Sequence, residues 1–218
     1  MTERSTFLLK DLKPAREVLT ALSFLPNVLL SRKQIYGERV LARVTSTTNK
    51  APPGSFKALN PTEARILEAI ADRIFPATET PGAVEAGAVN YIDQALAGDY
   101  GRFRSLYRNG LRAVDRHAHE KFAAKFAELK DVEKDGVLSD FESGRVQSFK
   151  NAADFFDTVR CHILEGIFCE PHYGGNRDLI GWHLVGFPGQ QYGYPDAYIN
   201  KPVDLEPVAT VEPPLEKK

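Results

Sequence analysis

Apolar residues recur at helical spacing through much of this chain, and no stretch alternates convincingly between apolar and polar residues with a period of two. The first helical stretch includes Ile66, Leu67, Ile70 and Ile74, which form one apolar stripe. Further stretches lie at about 83–97, 100–129, 132–141 and 148–168, and the long third stretch has a predicted break near His117. The pattern therefore predicts an all-α fold, a small helical bundle with an N-terminal arm and a long irregular C-terminal segment.

Local sequence signals predict where the first helix begins and ends. In "LNPTEARILEAIADRIFP" Asn60 has the place of an N-cap, Pro61 the first helical position, and Glu63 lies three residues after the cap. Pro76 is the expected stop. We expect a capping box between Asn60 and Glu63.

Composition shifts divide the chain into three parts. "TSTTNKAPPGS" (45–55) combines hydroxyls, proline and glycine as linkers do, so 1–55 is predicted to be an N-terminal arm and linker and 56–170 the helical domain. After Pro171 the helical period disappears, and 171–218 is predicted to be an irregular tail. Because this tail is rich in glycine and aromatic residues, we expect it to bind a partner.

Charge and hydropathy exclude two classes of protein. With 28 basic and 29 acidic residues and a net charge of -1, the chain has no broad positive field for nucleic acid. The most apolar run, "VLTALSFLPNVLL", is interrupted by Pro26 and Asn27 and is shorter than the roughly 18 residues that a membrane helix needs. We expect neither nucleic-acid binding nor a membrane span.

The first residues leave two interpretations open. Arg4 to Leu8, ahead of a moderately apolar segment, is reminiscent of a twin-arginine export signal without its second arginine. Asp11, Arg16 and Glu17 and the lack of a small-residue cleavage site favour an amphipathic arm that packs on a partner. The segment is thus either a degenerate export signal or a docking arm.

Motifs for cofactor chemistry are missing from the sequence. There is no GxGxxG after a strand, no Walker-type loop and no HExxH, so we expect no cofactor in this chain. The alternative is a metal-dependent helical-bundle enzyme that uses His117 with Glu120 and His162 with Glu165, since each pair shares a helix face. Both pairs have histidine before glutamate, the reverse of the order in dimetal bundles.

Cys161 and Cys169 are the two cysteines, and they lack the spacing of metal or haem sites. Eight residues of helix at about 1.5 Å each would separate them by roughly 12 Å, beyond disulfide reach. They are not expected to pair with each other.

Two blocks of this sequence form a specific pattern when they are taken together. The first runs from "LNPTEARILEAIADRIFP" through "ATETPGAVEAGAVNYIDQALAG", and the second is "FFDTVRCHILEGIFCEPHYGGNRDLIGWHLVGFPG". Together they resemble the gluconate 2-dehydrogenase subunit 3 family, and the similarity covers about 58–190. It implies a noncatalytic accessory subunit of a sugar or sugar-acid dehydrogenase.

The resemblance also implies partners and a location. In such complexes FAD is carried by a large subunit of the glucose-methanol-choline oxidoreductase type, and a cytochrome c subunit with haem c often accepts the electrons. The small subunit is then expected to support the folding and export of the FAD subunit. The implied location is the periplasmic side of the inner membrane; a cytoplasmic location is the alternative, since no clear export signal is present.

The irregular tail supplies the predicted contact residues, and Tyr173, Trp182 and Phe187 are the candidate anchors. An oxidising compartment would also allow an intersubunit disulfide through Cys161 or Cys169. The predicted partner interface comprises Tyr173, Gly174, Gly175, Asn176, Trp182, Phe187, Pro188, Tyr192 and Tyr194.

Overall fold

The computed structural model describes residues 56–189 and Pro207. In this part of the chain there are six α-helices and no strand, which confirms the all-α prediction. None of the described helices is long and apolar enough to cross a bilayer. The helices are α1 (Pro61–Ile74), α2 (Ala88–Ala97), α3 (Arg104–Phe122), α4 (Asp131–Glu142), α5 (Ala152–Phe168) and α6 (Ile180–Val185).

The start of α1 is the capping box that the sequence predicted. The Asn60 side chain accepts from the Glu63 amide at 2.9 Å, and Glu63 Oε2 accepts from the Asn60 amide at 3.1 Å. Asp93 of α2 fixes the preceding segment, because its carboxylate accepts the backbone amides of three successive residues, 57 to 59, at 2.8–2.9 Å. The entry to α1 is therefore tied to α2.

Other helix ends differ from the predicted ones. Residues 83–87 form turns that end at Gly87 (φ +78°), so α2 begins only at Ala88. The predicted break near His117 is wrong, since α3 continues to Phe122 and stops at Ala123, which has φ +55°. Beyond that stop, the Phe126 amide donates to Asp115 Oδ1 at 2.9 Å, which folds the chain back along α3.

The core lies where α5 packs against the other helices. Missing side chains permit two close approaches: a Cβ on Gly110 of α3 would overlap the Phe155 ring, and one on Gly166 would lie 2.9 Å from Cα of Ala88 in α2. Each fully buried side chain of leucine or phenylalanine size contributes on the order of 2 kcal/mol. The largest fully buried side chains belong to Leu67, Ile70, Ile92, Leu96, Tyr107, Leu111, Phe126, Phe141, Phe155, Ile163, Ile167 and Ile180.

Candidate partner-binding surface

Residues 169–187, called the clasp below, follow α5 and fold back over its C-terminal end. They form two short 3-10 turns, Pro171–Tyr173 and Arg177–Leu179, and then α6. The irregular structure predicted from 171 onward is thus corrected for this part of the tail. No helical period is visible in the sequence because each turn is only three residues long.

Asn176 is the centre of the clasp and is fully buried. Its amide donates to the Gly166 carbonyl at 2.7 Å, and its side-chain Nδ2 donates to the Cys169 carbonyl at 2.8 Å. Its Oδ1 accepts from the Gly181 amide at 2.8 Å. One residue therefore donates to two carbonyls at the end of α5 and fixes the start of α6.

Two glycines let the clasp lie directly on α5. A Cβ on Gly175 would overlap the Gly166 carbonyl oxygen, and one on Gly181 would overlap the carbonyl oxygen of Ile167. The close approach brings the Trp182 indole N–H to the Phe168 carbonyl, at 2.8 Å. The clasp is a cap for the last turn of α5.

The clasp also joins the turn that precedes α2. The Arg177 amide donates to the Ala86 carbonyl at 2.9 Å, and the Asn90 side chain donates to the Gly174 carbonyl at 2.6 Å. Gly174 has φ +93°, and a Cβ there would meet the Gln94 side chain. The blocks "PGAVEAG" and "PHYGGN", distant in sequence, are thus the two halves of one packed unit.

Exposure separates the predicted interface residues into two groups. Tyr173 is 56% exposed and Phe187 44%, and Val185, two residues before Phe187, is 62% exposed. Trp182, also a predicted anchor, is only 5% exposed, and its indole N–H is used inside the clasp. Asn176 and Gly175 are buried too, Gly174 and Pro188 are half-buried, and Tyr192 and Tyr194 lie outside the described residues.

Ring contacts hold both exposed aromatic side chains. The Tyr173 ring lies on His172 with 3.8 Å between centroids, and Phe187 meets the buried Trp182 edge-on at 4.9 Å. The Phe187 amide also donates to the Trp182 carbonyl at 2.9 Å. The clasp therefore presents aromatic groups on a backbone that hydrogen bonds have already fixed.

The two histidines of the metal hypothesis have other partners. His117 Nε2 lies 3.0 Å from Asp140 Oδ2, whereas His162 Nδ1 lies 3.0 Å from the Tyr107 hydroxyl. Among residues 56–189 no three His, Cys, Asp or Glu side chains are grouped as metal ligands would be. The structure does not bring the two predicted pairs together, because each histidine has a partner in its own neighbourhood.

A cluster around His162 was not predicted from the sequence. Tyr91 and Tyr100 donate their hydroxyls to the same oxygen of Glu165, at 3.0 and 3.2 Å, and the Tyr100 ring stacks on His162 at 4.5 Å. Burial raises the pKa of Tyr91 and of Tyr107, and burial lowers the pKa of His162. At neutral pH Tyr91 and Tyr107 are therefore protonated, and the cluster links α2, α3 and α5.

The two cysteines differ in access. Cys161 is exposed on α5. Cys169 is half-buried at the start of the clasp, where burial raises the pKa of its thiol to about 11. Both are free thiols, and Cys161 is the one that a partner can reach.

Comparisons with known proteins identify the family. No curated protein and no solved structure matches the chain significantly. A family model described as gluconate 2-dehydrogenase subunit 3 matches residues 61–189, from the first residue of α1 to just beyond the clasp. The match covers more than half of the sequence and includes both halves of the packed unit described above. The chain belongs to the gluconate 2-dehydrogenase subunit 3 family.

Proposed function

We propose that this chain is a noncatalytic subunit that binds an FAD-dependent sugar or sugar-acid dehydrogenase of the glucose-methanol-choline type and keeps it folded and stable. The observation that supports this proposal most directly is the exposure of Tyr173, Val185 and Phe187 on the clasp, whose backbone is fixed by hydrogen bonds. The family description, a numbered subunit of a dehydrogenase, supports a role within a complex. FAD belongs to the large subunit, and haem c to a cytochrome c subunit where one is present.

Fixed aromatic side chains suit such a contact. Association costs free energy for each side chain that it immobilises, about 0.5–1.5 kcal/mol for a flexible one. Tyr173 and Phe187 are already restrained by ring contacts, so less of this cost remains. Aromatic side chains that enter a partner's pocket are the common hot spots of protein interfaces.

Co-expression with a flavoprotein dehydrogenase of the glucose-methanol-choline type from the same genome tests the proposal. The double variant Tyr173→Ala/Phe187→Ala should stay folded but recover at least about tenfold less complex, because two hot-spot truncations cost about 2 kcal/mol or more. The control is Val132→Ala, which removes an 82% exposed apolar side chain from α4. Equal recovery of the dehydrogenase with wild type, both variants and no small subunit would overturn the proposal.

We propose further that the complex works on the periplasmic side of the inner membrane. Residues 1–55 act there as a degenerate export signal, or the chain travels with an exported partner. Cell fractionation distinguishes this from the cytoplasmic alternative.

If the mature complex is periplasmic and disulfide-linked, the link should disappear in Cys161→Ser and persist in Cys169→Ser, because only Cys161 is exposed. The opposite result would contradict the assignment of Cys161.

A further inference from the structure

Four arginines follow one side of α3 at a spacing of four residues: Arg104, Arg108, Arg112 and Arg116. The helix holds five Arg and Lys residues but only two Asp and Glu residues, whereas the whole chain has a net charge of -1. Positive charge is therefore concentrated on this helix.

The first two of these arginines are used within the fold. Arg104 donates to the carbonyls of Leu96 and Ala97 at 2.6 and 2.9 Å and so caps the end of α2. Arg108 lies 4.0 Å from the buried carboxylate of Glu63. The arginines of α3 that remain available to a ligand are therefore the two in its second half, Arg112 and Arg116.

Arg112 and Arg116 line a cavity of about 400 Å³ between the start of α1 and the second half of α3. His119 and Lys125 line it as well. The Arg112 guanidinium makes no ion pair or hydrogen bond within residues 56–189. Arg116 donates to the Ser148 carbonyl at 3.5 Å, and the positive side chains of the cavity are those of Arg112, Arg116 and Lys125.

Two carboxylates, those of Glu63 and Asp115, also line the cavity and offset part of its positive charge. Asp115 Oδ1 accepts the Phe126 amide, and Glu63 Oε2 accepts the Asn60 amide in the capping box. Glu63 also lies in the first turn of α1, where its charge compensates the dipole of that helix. Three positive side chains, those of Arg112, Arg116 and Lys125, face these two carboxylates, so the cavity keeps an excess of positive charge.

We propose that this cavity binds a small anion with at least two negatively charged oxygen groups, a phosphate ester or a polycarboxylate. Guanidinium groups one helical turn apart offer paired donors to such oxygens, and a cleft with an excess of positive charge attracts anions. About 400 Å³ is within the usual size of a small-molecule site. A compact ligand fits better than an extended acidic segment, because Arg104 and Arg108 are already occupied.

Calorimetric titration of the full chain with pyrophosphate and with citrate tests the proposal, with sodium chloride keeping the ionic strength constant. We expect saturable binding of at least one anion, about tenfold weaker in Arg112→Gln. The control Arg160→Gln removes the same charge from α5, where Arg160 pairs with Asp157 at 3.6 Å, and should change affinity less than twofold.

The two titrations separate the sources of the anion. Binding of pyrophosphate alone assigns a phosphate ester, and binding of citrate alone assigns a polycarboxylate. The proposal is overturned if neither binds saturably, or if Arg160→Gln weakens binding as much as Arg112→Gln does. Binding of a ten-residue glutamate peptide by a chain that ignores both small anions would overturn it too, in favour of an acidic protein segment.

Discussion

At the scale of single residues, Asn176 has the largest structural role in the clasp. It lies in the left-handed region at φ +43°, which asparagine tolerates better than most residues, and its side chain makes two buried hydrogen bonds. Asn176→Ala would leave the Cys169 carbonyl and the Gly181 amide without these partners. We expect the free energy of unfolding to fall by about 2–4 kcal/mol, measured in urea.

The control for this change is His172→Ala in the same segment. His172 is exposed, so its removal should alter the free energy of unfolding by less than about 0.5 kcal/mol. Equal stability of Asn176→Ala and wild type would mean that water replaces the Asn176 side chain, and that the clasp is held by its backbone alone.

Two asparagines show what the sequence could and could not reveal at this scale. Asn60 was predicted as a cap because its partner, Glu63, is three residues away and follows a known local pattern. Asn176 does comparable work, but its partners lie at Gly166, Cys169 and Gly181 and meet only after the chain reverses. Spacing along the sequence cannot show such a contact.

At the scale of elements, the contact between α5 and α6 depends on the absence of a side chain at Gly181. In Gly181→Ala the new Cβ would overlap the Ile167 carbonyl oxygen, which is backbone and cannot move aside easily. We expect α6 to separate from α5, with a loss of about 2–4 kcal/mol. Trp182 is the only tryptophan, so a red shift of its fluorescence would report the separation directly.

Gly136→Ala is the matched control on α4. Nothing lies within 4 Å of a Cβ at Gly136, so alanine there should stabilise the helix by about 0.5–1 kcal/mol. Stability changes of opposite sign in Gly181→Ala and Gly136→Ala would show that packing around the glycine decides the effect of the added methyl group. Unchanged fluorescence and stability in Gly181→Ala would contradict the close approach of α6 and α5.

The apolar periodicity predicted which stretches are helical, but it often did not predict where each helix ends. The pattern at 100–129 continues through Ala123 and Phe126, and alanine favours helices, so nothing local announces the stop after Phe122. Phe126 is fully buried, and its amide is bound by Asp115. Tertiary burial of Phe126 in a turn outweighs continuation of the helix.

At the scale of the whole molecule, two titratable groups join helices that are distant in sequence. His162 of α5 is 6% exposed and contacts Tyr107 of α3. Asp140 of α4 is bound by His117 and Lys121 of α3, at 3.0 and 2.7 Å, and by Arg145 at 2.9 Å. We therefore expect the packing of α3 against its neighbours to depend on pH.

The two groups should act in different pH ranges. Burial lowers the pKa of His162 below the ordinary 6.5, with Glu165 opposing and Arg102 adding to the effect, so the folded state holds a neutral imidazole. Its contribution to stability is present above pH 6.5 and is lost as the pH falls. Burial pushes the pKa of Asp140 upward, but hydrogen bonds from His117, Lys121 and Arg145 prevail and lower it from 3.8 to about 2.

Unfolding in urea across pH 2–8 should therefore show stability falling in two stages. The first begins below pH 6.5 and should be absent in His162→Gln, which has no imidazole to protonate. The second begins below pH 3.8 and continues to about pH 2, because a carboxylate with a lowered folded pKa contributes only while it is ionised. Asp140→Asn should abolish this stage and cost on the order of 1–2 kcal/mol at neutral pH. If the two variants change the profile identically, acid unfolding is governed by net charge, and neither site has the coupling argued for it.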